Sequence, residues 1–195
     1  MNAMVGSTKM FAIDPISGLV SGARQLSSPN CDDRPTGSQP ELIVVHCISL
    51  PPGEFGGPWI DRFFTNRLDP NAHPYFQEIA ELRVSAHLLI RRDGELVQYV
   101  PLTRRAWHAG PSCFDGRECC NDFSVGIELE GEDDVPYAAI QYERLAELVR
   151  KLRQTFRALR EAPIVGHSDI APERKTDPGP AFDWNRLESL LSVVA

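Results

Sequence analysis

Between Ile140 and Leu159 the chain places Leu145, Leu148, Val149, Leu152, Phe156 and Leu159 at steps of three and four residues. At 3.6 residues per turn these side chains line up as one apolar stripe. The basic residues from Arg144 to Arg160, mixed with Glu143 and Glu147, read as the solvated side of the same helix. Such a stripe must be buried against a second layer, and the segments around it supply one. Glu41 to His46 (ELIVVH) is an apolar, β-branched run and reads as a buried strand. Ser124 to Glu130 alternates: Val125, Ile127 and Leu129 face one way, and Gly126, Glu128 and Glu130 the other. Val84 to Ile90 and Glu95 to Val100 flank the turn Arg92-Asp93-Gly94 and read as a hairpin. Ile164 to Gly166 is a further short strand.

Short helices are expected over 59–64 and 73–82, and a last one starts at Asp183, a good N-cap, with Phe182 and Leu187 as a hydrophobic staple. The expected class is α+β: a single domain with a central mixed β-sheet flanked by helices. Residues 1–40, rich in Ser, Gly, Pro and Asp, are expected as an irregular N-terminal arm, with the domain proper spanning 41–195.

At 195 residues the chain is long enough for one well-buried core and short for two. A net charge of −7 argues against a nucleic-acid partner. No run approaches the roughly 20 apolar residues of a membrane helix. The first thirteen residues carry no apolar stretch of signal-peptide length, so the expected compartment is the cytoplasm. Five cysteines, an odd number without a CxxC, fit reduced thiols rather than a disulfide framework. Cys113, Cys119 and Cys120 match no common zinc spacing. No obligate protein partner is implied.

The chemistry concentrates at two places. His46 ends an apolar strand just before the Pro/Gly-rich stretch 51–58, where a rigid scaffold commonly presents functional groups. The second place is GHSDIAPERKTDPGP, Gly166 to Pro180, where His167 ends a strand and a proline-stiffened loop carries Lys175 and Asp177. Two residues apart in extended chain, Lys175 and Asp177 can face one site; a polar surface loop with a salt bridge is the competing reading.

Two imidazoles and one carboxylate suit a catalytic zinc with one position open to water, although imidazole also suits other metals. Such a site needs a base for the water's proton and a cation for the oxyanion. Glu128, on the polar face of its strand, suits the first role, with a solvated strand face as the plain alternative. Lys175 suits the second. His87, inside an apolar strand, reads as a satisfied core or cleft-wall histidine, and His73 as a surface residue opening a helix. Trp107 and His108, in AWHAG, read as substrate contacts or packing at the floor of a cleft.

The blocks VVHCISLPPGEFGGPWID, DPNAHPYF, LRVSAHLLIRRDGELVQYVP, RAWHAG, NDFSVGIELEG and GHSDIAPERKTDPGP resemble the AmpD-type anhydro-N-acetylmuramoyl-L-alanine amidases. These belong to the wider group of zinc amidases that includes peptidoglycan recognition proteins. The resemblance runs from about Glu41 to Trp184. It implies one zinc per chain held by His46, His167 and Asp177, with Glu128 and Lys175 as the catalytic pair. It implies hydrolysis of the lactyl–L-alanine amide of an anhydromuropeptide during peptidoglycan recycling in the cytoplasm. It also implies that Arg83 and Trp107 lie along the substrate cleft. Cys47 stands where the family commonly has Asn, and Cys119 where Arg is common; Cys47 is counted with the substrate-contacting residues.

Two other classes compete. A peptidoglycan-binding module that has lost catalysis would lack a metal ligand, yet Asp177 and Lys175 are both present. A zinc peptidase of the common kind would carry an HExxH helix, and none occurs. The loop Ser49 to Pro58, with Gly53, Gly56 and Gly57, is expected to move when substrate binds.

Overall fold

The computed structural model describes residues 11–193. Six strands form the central sheet: β1 (Arg24–Gln25), β2 (Leu42–Ile48), β3 (Leu88–Ile90), β4 (Leu96–Gln98), β5 (Ser124–Glu130) and β6 (Ile164–Gly166). Their order across the sheet is β6-β2-β5-β3-β4-β1. The β3–β4 pair is an antiparallel hairpin and the other neighbours run parallel, so the sheet is mixed, as its patterning predicts. Among the described residues five α-helices accompany it: α1 (Trp59–Phe64), α2 (Pro74–Ile79), α3 (Ala139–Thr155), α4 (His167–Ile170) and α5 (Trp184–Ser192).

Alternation along β2 and β5 divides the two faces. Ile43, Val45, Val125, Ile127 and Leu129 are buried in one core with Leu145, Leu148, Val149 and Leu152 of α3. Asp183 caps α5 by accepting from the Arg186 N–H at 2.9 Å, and Phe182 and Leu187 are buried in this same core. On the opposite face, Ile60, Phe63, Phe64 and Phe76 of α1 and α2 build a second core with Leu89, Val97 and Tyr99. His46 and Glu128 belong to this opposite face, since they alternate with the core residues.

Some boundaries differ from expectation. The α-helix α3 stops at Thr155, because Phe156 is extended (φ −107°, ψ 115°), and a single 3₁₀ turn, Arg157–Leu159, follows. The strand expected over 84–90 shortens to Leu88–Ile90; its first half lies outside the ladder, with the Ser85 N–H donating to Trp107 O at 3.0 Å. His167 begins helix α4 instead of ending a strand.

The larger departure is the N-terminal segment, expected to be irregular. Arg24–Gln25 adds a parallel edge strand to the central sheet, and Cys31–Asp32 pairs with Arg105–Ala106. Arg34 is half-buried and donates to four main-chain carbonyls, Asn121, Asp122, Leu102 and Ser124. These strands are two residues long, too short to leave a period in the sequence, and their partners are distant.

The loop after β2 is fastened rather than loose. Glu130 accepts from the Gly56 N–H at 2.7 Å and from Arg91 at 3.1 Å, while Arg91 also donates to Gly57 O. Glu132 accepts from the Gly53 N–H at 2.6 Å.

Leu145 lies at the centre of the α3 stripe and is fully buried. Truncation to Ala leaves a cavity against the sheet, and we expect Leu145→Ala to cost about 2–5 kcal/mol. Urea unfolding should show this as a lower midpoint at unchanged slope.

Candidate active site

The site is built from the ladder upward. In the parallel β2–β5 pair, His46 sits opposite Glu128. Residues opposed in this way project from the same face, so imidazole and carboxyl stand side by side. On the other side of β2, Gly166 of β6 opposes Val45, which brings His167, the next residue in sequence, level with His46. The turn into α4 is fixed by Asp169, whose carboxylate accepts from the Gly166 N–H at 2.7 Å.

Gly166 also makes room. A Cβ there would lie 2.8 Å from Pro178 Cδ, so glycine lets the 175–178 segment close over His167. The Ser168 N–H then donates to Asp177 O at 3.0 Å and the Lys175 N–H to Ala171 O at 2.9 Å, which fixes that segment.

Three side-chain atoms converge as a result. His46 Nδ1 and His167 Nδ1 are 3.0 Å apart, and each lies 3.1 Å from Asp177 Oδ2. Both histidines are buried and Asp177 is half-buried. His167 Nε2 donates to the Ala109 carbonyl at 3.1 Å, so that in the neutral ring Nδ1 is the lone pair. Burial, partly offset by Asp177, lowers the His46 pKa to about 4, so its ring is neutral near pH 7. Ligand atoms about 2.0 Å from a tetrahedral zinc are about 3.3 Å apart. The observed triangle and its N,N,O donor set therefore fit a small divalent cation, which His46, His167 and Asp177 would hold.

That cavity has a volume of about 660 Å³. Cys47, Trp107, His108, Glu128 and Lys175 line it together with the three converging residues. Glu128 is buried, and its Oε2 has no hydrogen-bond partner. Burial, and then the charge of Asp177, push its carboxyl well above the usual range, while Lys175 pulls it back. The Trp107 indole N–H donates to Asp32 at 3.1 Å, so the N-terminal segment holds this wall. The Cys47 thiol lies 3.4 Å from Asp133 Oδ1, and burial raises its pKa.

Arg83, expected along the cleft, lies between two residues of the cavity wall. It is not among the cavity's lining residues, although Leu82 and Val84 are. Its guanidinium turns back to the Ala80 and Leu82 carbonyls and lies 3.6 Å from Glu81. His108 does line the cavity, but both of its ring nitrogens are engaged inside the protein, with His46 and with Ser124. His87 is a satisfied core residue: Nδ1 accepts from the Gly126 N–H and Nε2 meets the Arg104 carbonyl, both at 3.0 Å. His73 caps α2, accepting from the Tyr75 N–H at 3.2 Å. The five cysteines are free thiols.

Sequence reasoning passed over Ser124, Asp133 and Arg174, all tied to this site. Arg174 lines the cavity and bonds the Ala109 and Pro111 carbonyls. The one legible signal was Gly126, a lone glycine inside an alternating strand, which marks a close approach.

A mixed sheet presenting two imidazoles and a carboxylate to one cavity, with a buried carboxyl beside them, is the architecture of a metal-dependent hydrolase. The chain belongs to the N-acetylmuramoyl-L-alanine amidase family, whose model matches residues 36–180. It is 61% identical over 175 residues to the 1,6-anhydro-N-acetylmuramyl-L-alanine amidase AmpD of Escherichia coli K12, covering 90% of this chain and 95% of that one. The Enterobacter cloacae AmpD is 60% identical over 177 residues, covering 91% and 94%. The crystal structure of a selenomethionine AmpD derivative superposes with a TM-score of 0.88 at 58% identity, over 92% of this chain and 99% of that one. AmpDh3 of Pseudomonas aeruginosa, in complex with anhydromuramic pentapeptide, is a more distant neighbour: TM-score 0.56 and 28% identity, over 80% of this chain and 61% of that one.

A Cβ at Gly126 would lie 2.4 Å from His108 Cγ, with the ring wedged between strand and cavity. Gly126→Ala should therefore displace His108 and destabilise the fold by about 1–3 kcal/mol, the usual cost of overpacking. A lowered thermal midpoint together with shifted His108 ring resonances would check this.

Proposed function

We propose that this chain hydrolyses the amide between the lactyl group of 1,6-anhydro-N-acetylmuramic acid and the L-alanine of the stem peptide, using one zinc ion, in cytoplasmic peptidoglycan recycling. The observation that carries the reading is the triangle of His46 Nδ1, His167 Nδ1 and Asp177 Oδ2 beside the unpartnered carboxyl of Glu128. The names of the relatives at about 60% identity specify this substrate for those proteins. The Pseudomonas neighbour was crystallised with an anhydromuropeptide. Among the described residues no helix is long and apolar enough to cross a membrane.

His46, His167 and Asp177 would hold the metal. Zinc bound there supplies a Lewis acid that lowers the pKa of water toward neutrality and polarises a carbonyl. The remaining steps fall to the chain's own side chains. Glu128 takes the proton of the attacking water and passes it to the leaving amide nitrogen, a task suited to a carboxyl whose pKa burial has raised well above the usual carboxylate range. Lys175, on the cavity wall, steadies the negative charge that develops on the carbonyl oxygen. Trp107 and Cys47 contact the substrate from the cleft wall.

Incubation with an anhydromuropeptide, followed by mass spectrometry, should release free stem peptide and anhydro-sugar. Glu128→Gln should keep about one zinc per chain while kcat falls at least ~100-fold, the lower range for general acid–base catalysis. Full activity in this variant would refute the assignment of Glu128. Tight binding of the muropeptide by the wild-type protein without release of peptide would favour a recognition module instead.

Asp177→Ala should lose stoichiometric zinc in equilibrium dialysis, because two imidazoles alone leave the site short of the three protein ligands of a catalytic zinc. Retention of one tightly held zinc would remove Asp177 from the ligand set.

A further inference from the structure

Behind His46 runs a chain of hydrogen bonds that ends on a main-chain carbonyl. His46 Nε2 lies 2.9 Å from His108 Nδ1. His108 Nε2 lies 3.0 Å from Ser124 Oγ. Ser124 Oγ donates to the Cys120 carbonyl at 2.6 Å. Ser124 and Cys120 are buried, as is His46.

A carbonyl can only accept, and this fixes every direction upstream. The Ser124 hydroxyl gives its one hydrogen to Cys120 O, so Ser124 Oγ accepts from His108 Nε2–H. His108 Nδ1 is then a lone pair, and it accepts from His46 Nε2–H. His46 Nδ1 is left without a hydrogen, facing His167 and Asp177. The reversed chain would turn the hydroxyl toward His108 and set two oxygens lone pair to lone pair at 2.6 Å, with no hydrogen between them. It would also place a hydrogen on His46 Nδ1, where a metal would have to displace it. Gly126 makes the relay possible, because any Cβ there would occupy the seat of the His108 ring.

We propose that His108 is a positioning residue that selects the tautomer of His46, presenting Nδ1 to the metal as a lone pair, and that Ser124 transmits this selection from the Cys120 carbonyl. The inference rests on His46, His167 and Asp177 being the metal ligands. His108 is thereby assigned to the metal's support and not to hydrogen bonding with substrate.

The test is zinc affinity of the full chain, measured by competition with a chromophoric chelator, together with nitrogen-15 NMR of the imidazoles in metal-stripped protein. Loss of a group that orients a ligand histidine typically weakens metal binding about 10–100-fold. Ser124→Ala, a small buried change expected to fold, should weaken zinc at least about tenfold and turn the single His46 tautomer into a mixture. His108→Phe keeps a planar ring but no acceptor, and should fall further within that range. His108→Asn, whose side-chain oxygen can stand near the Nδ1 position, should recover part of the loss, which a purely space-filling role would not allow.

The relay is refuted if Ser124→Ala and His108→Phe both bind zinc like the wild type. It is equally refuted if wild-type His46 carries its hydrogen on Nδ1. Undiminished zinc binding by Asp177→Ala and His167→Ala would overturn the ligand set itself, an outcome separate from either of these.

Discussion

The parallel register of β2 against β5 is the constraint on which the site depends. It pairs His46 with Glu128 and, two residues earlier on each strand, Val44 with Gly126. A slip by one residue would turn every side chain of one strand to the opposite face. Were β5 to slip, Ile127 would turn to the cavity and Glu128 would enter the apolar core under α3. That cost locks the register. The same apolar residues that hold α3 on the sheet therefore also hold imidazole and carboxyl beside one another.

On the polar face of β5 successive residues divide the work. Ser124 reaches the His108 ring, Gly126 leaves space for that ring, Glu128 faces the cavity, and Glu130 fastens the loop after β2. Buried polar groups are tolerated where they satisfy one another. Ser124 and Glu130 do so through several partners each. Glu128 is the exception: one of its buried oxygens has no partner, and the residue lines the cavity with the converging histidines. A free buried carboxyl costs stability, and such a group persists where it has chemistry to perform.

The legible parts of the sequence were those with a period or a stiff local motif. The α3 stripe, the alternation of Ser124–Glu130 and the apolar run ending at His46 each state a face, and faces are what a sheet-and-helix fold must match. The segment 166–180 was legible because its prolines restrict the backbone around His167, Lys175 and Asp177. Arg83 carries no period of its own: its neighbours line the cavity while its side chain folds back on the α2 turn. The N-terminal segment misled because its contribution lies in two-residue strands and in Arg34, a long side chain bonded to carbonyls some seventy to ninety positions away. The role of Ser124 was invisible for a similar reason: its partners come from the 107–120 connection, whose path no period records.

The converging triangle links stability to occupancy. With Nδ1 bare on both rings and a carboxylate oxygen 3.1 Å from each, three acceptors face one another across a buried space. Without a cation or a proton between them this arrangement is repulsive, and the surrounding fold has to hold it in place. The 42–48 ladder, the Asp169 cap on Gly166 and the closure permitted at Gly166 provide that restraint. A divalent ion entering the triangle turns the repulsion into three favourable contacts. Because the unfolded chain cannot assemble the triangle, the gain appears as stability of the folded state. The histidines and Asp177 are thus held together against their own repulsion in the metal-free molecule, and a bound cation is what relieves it.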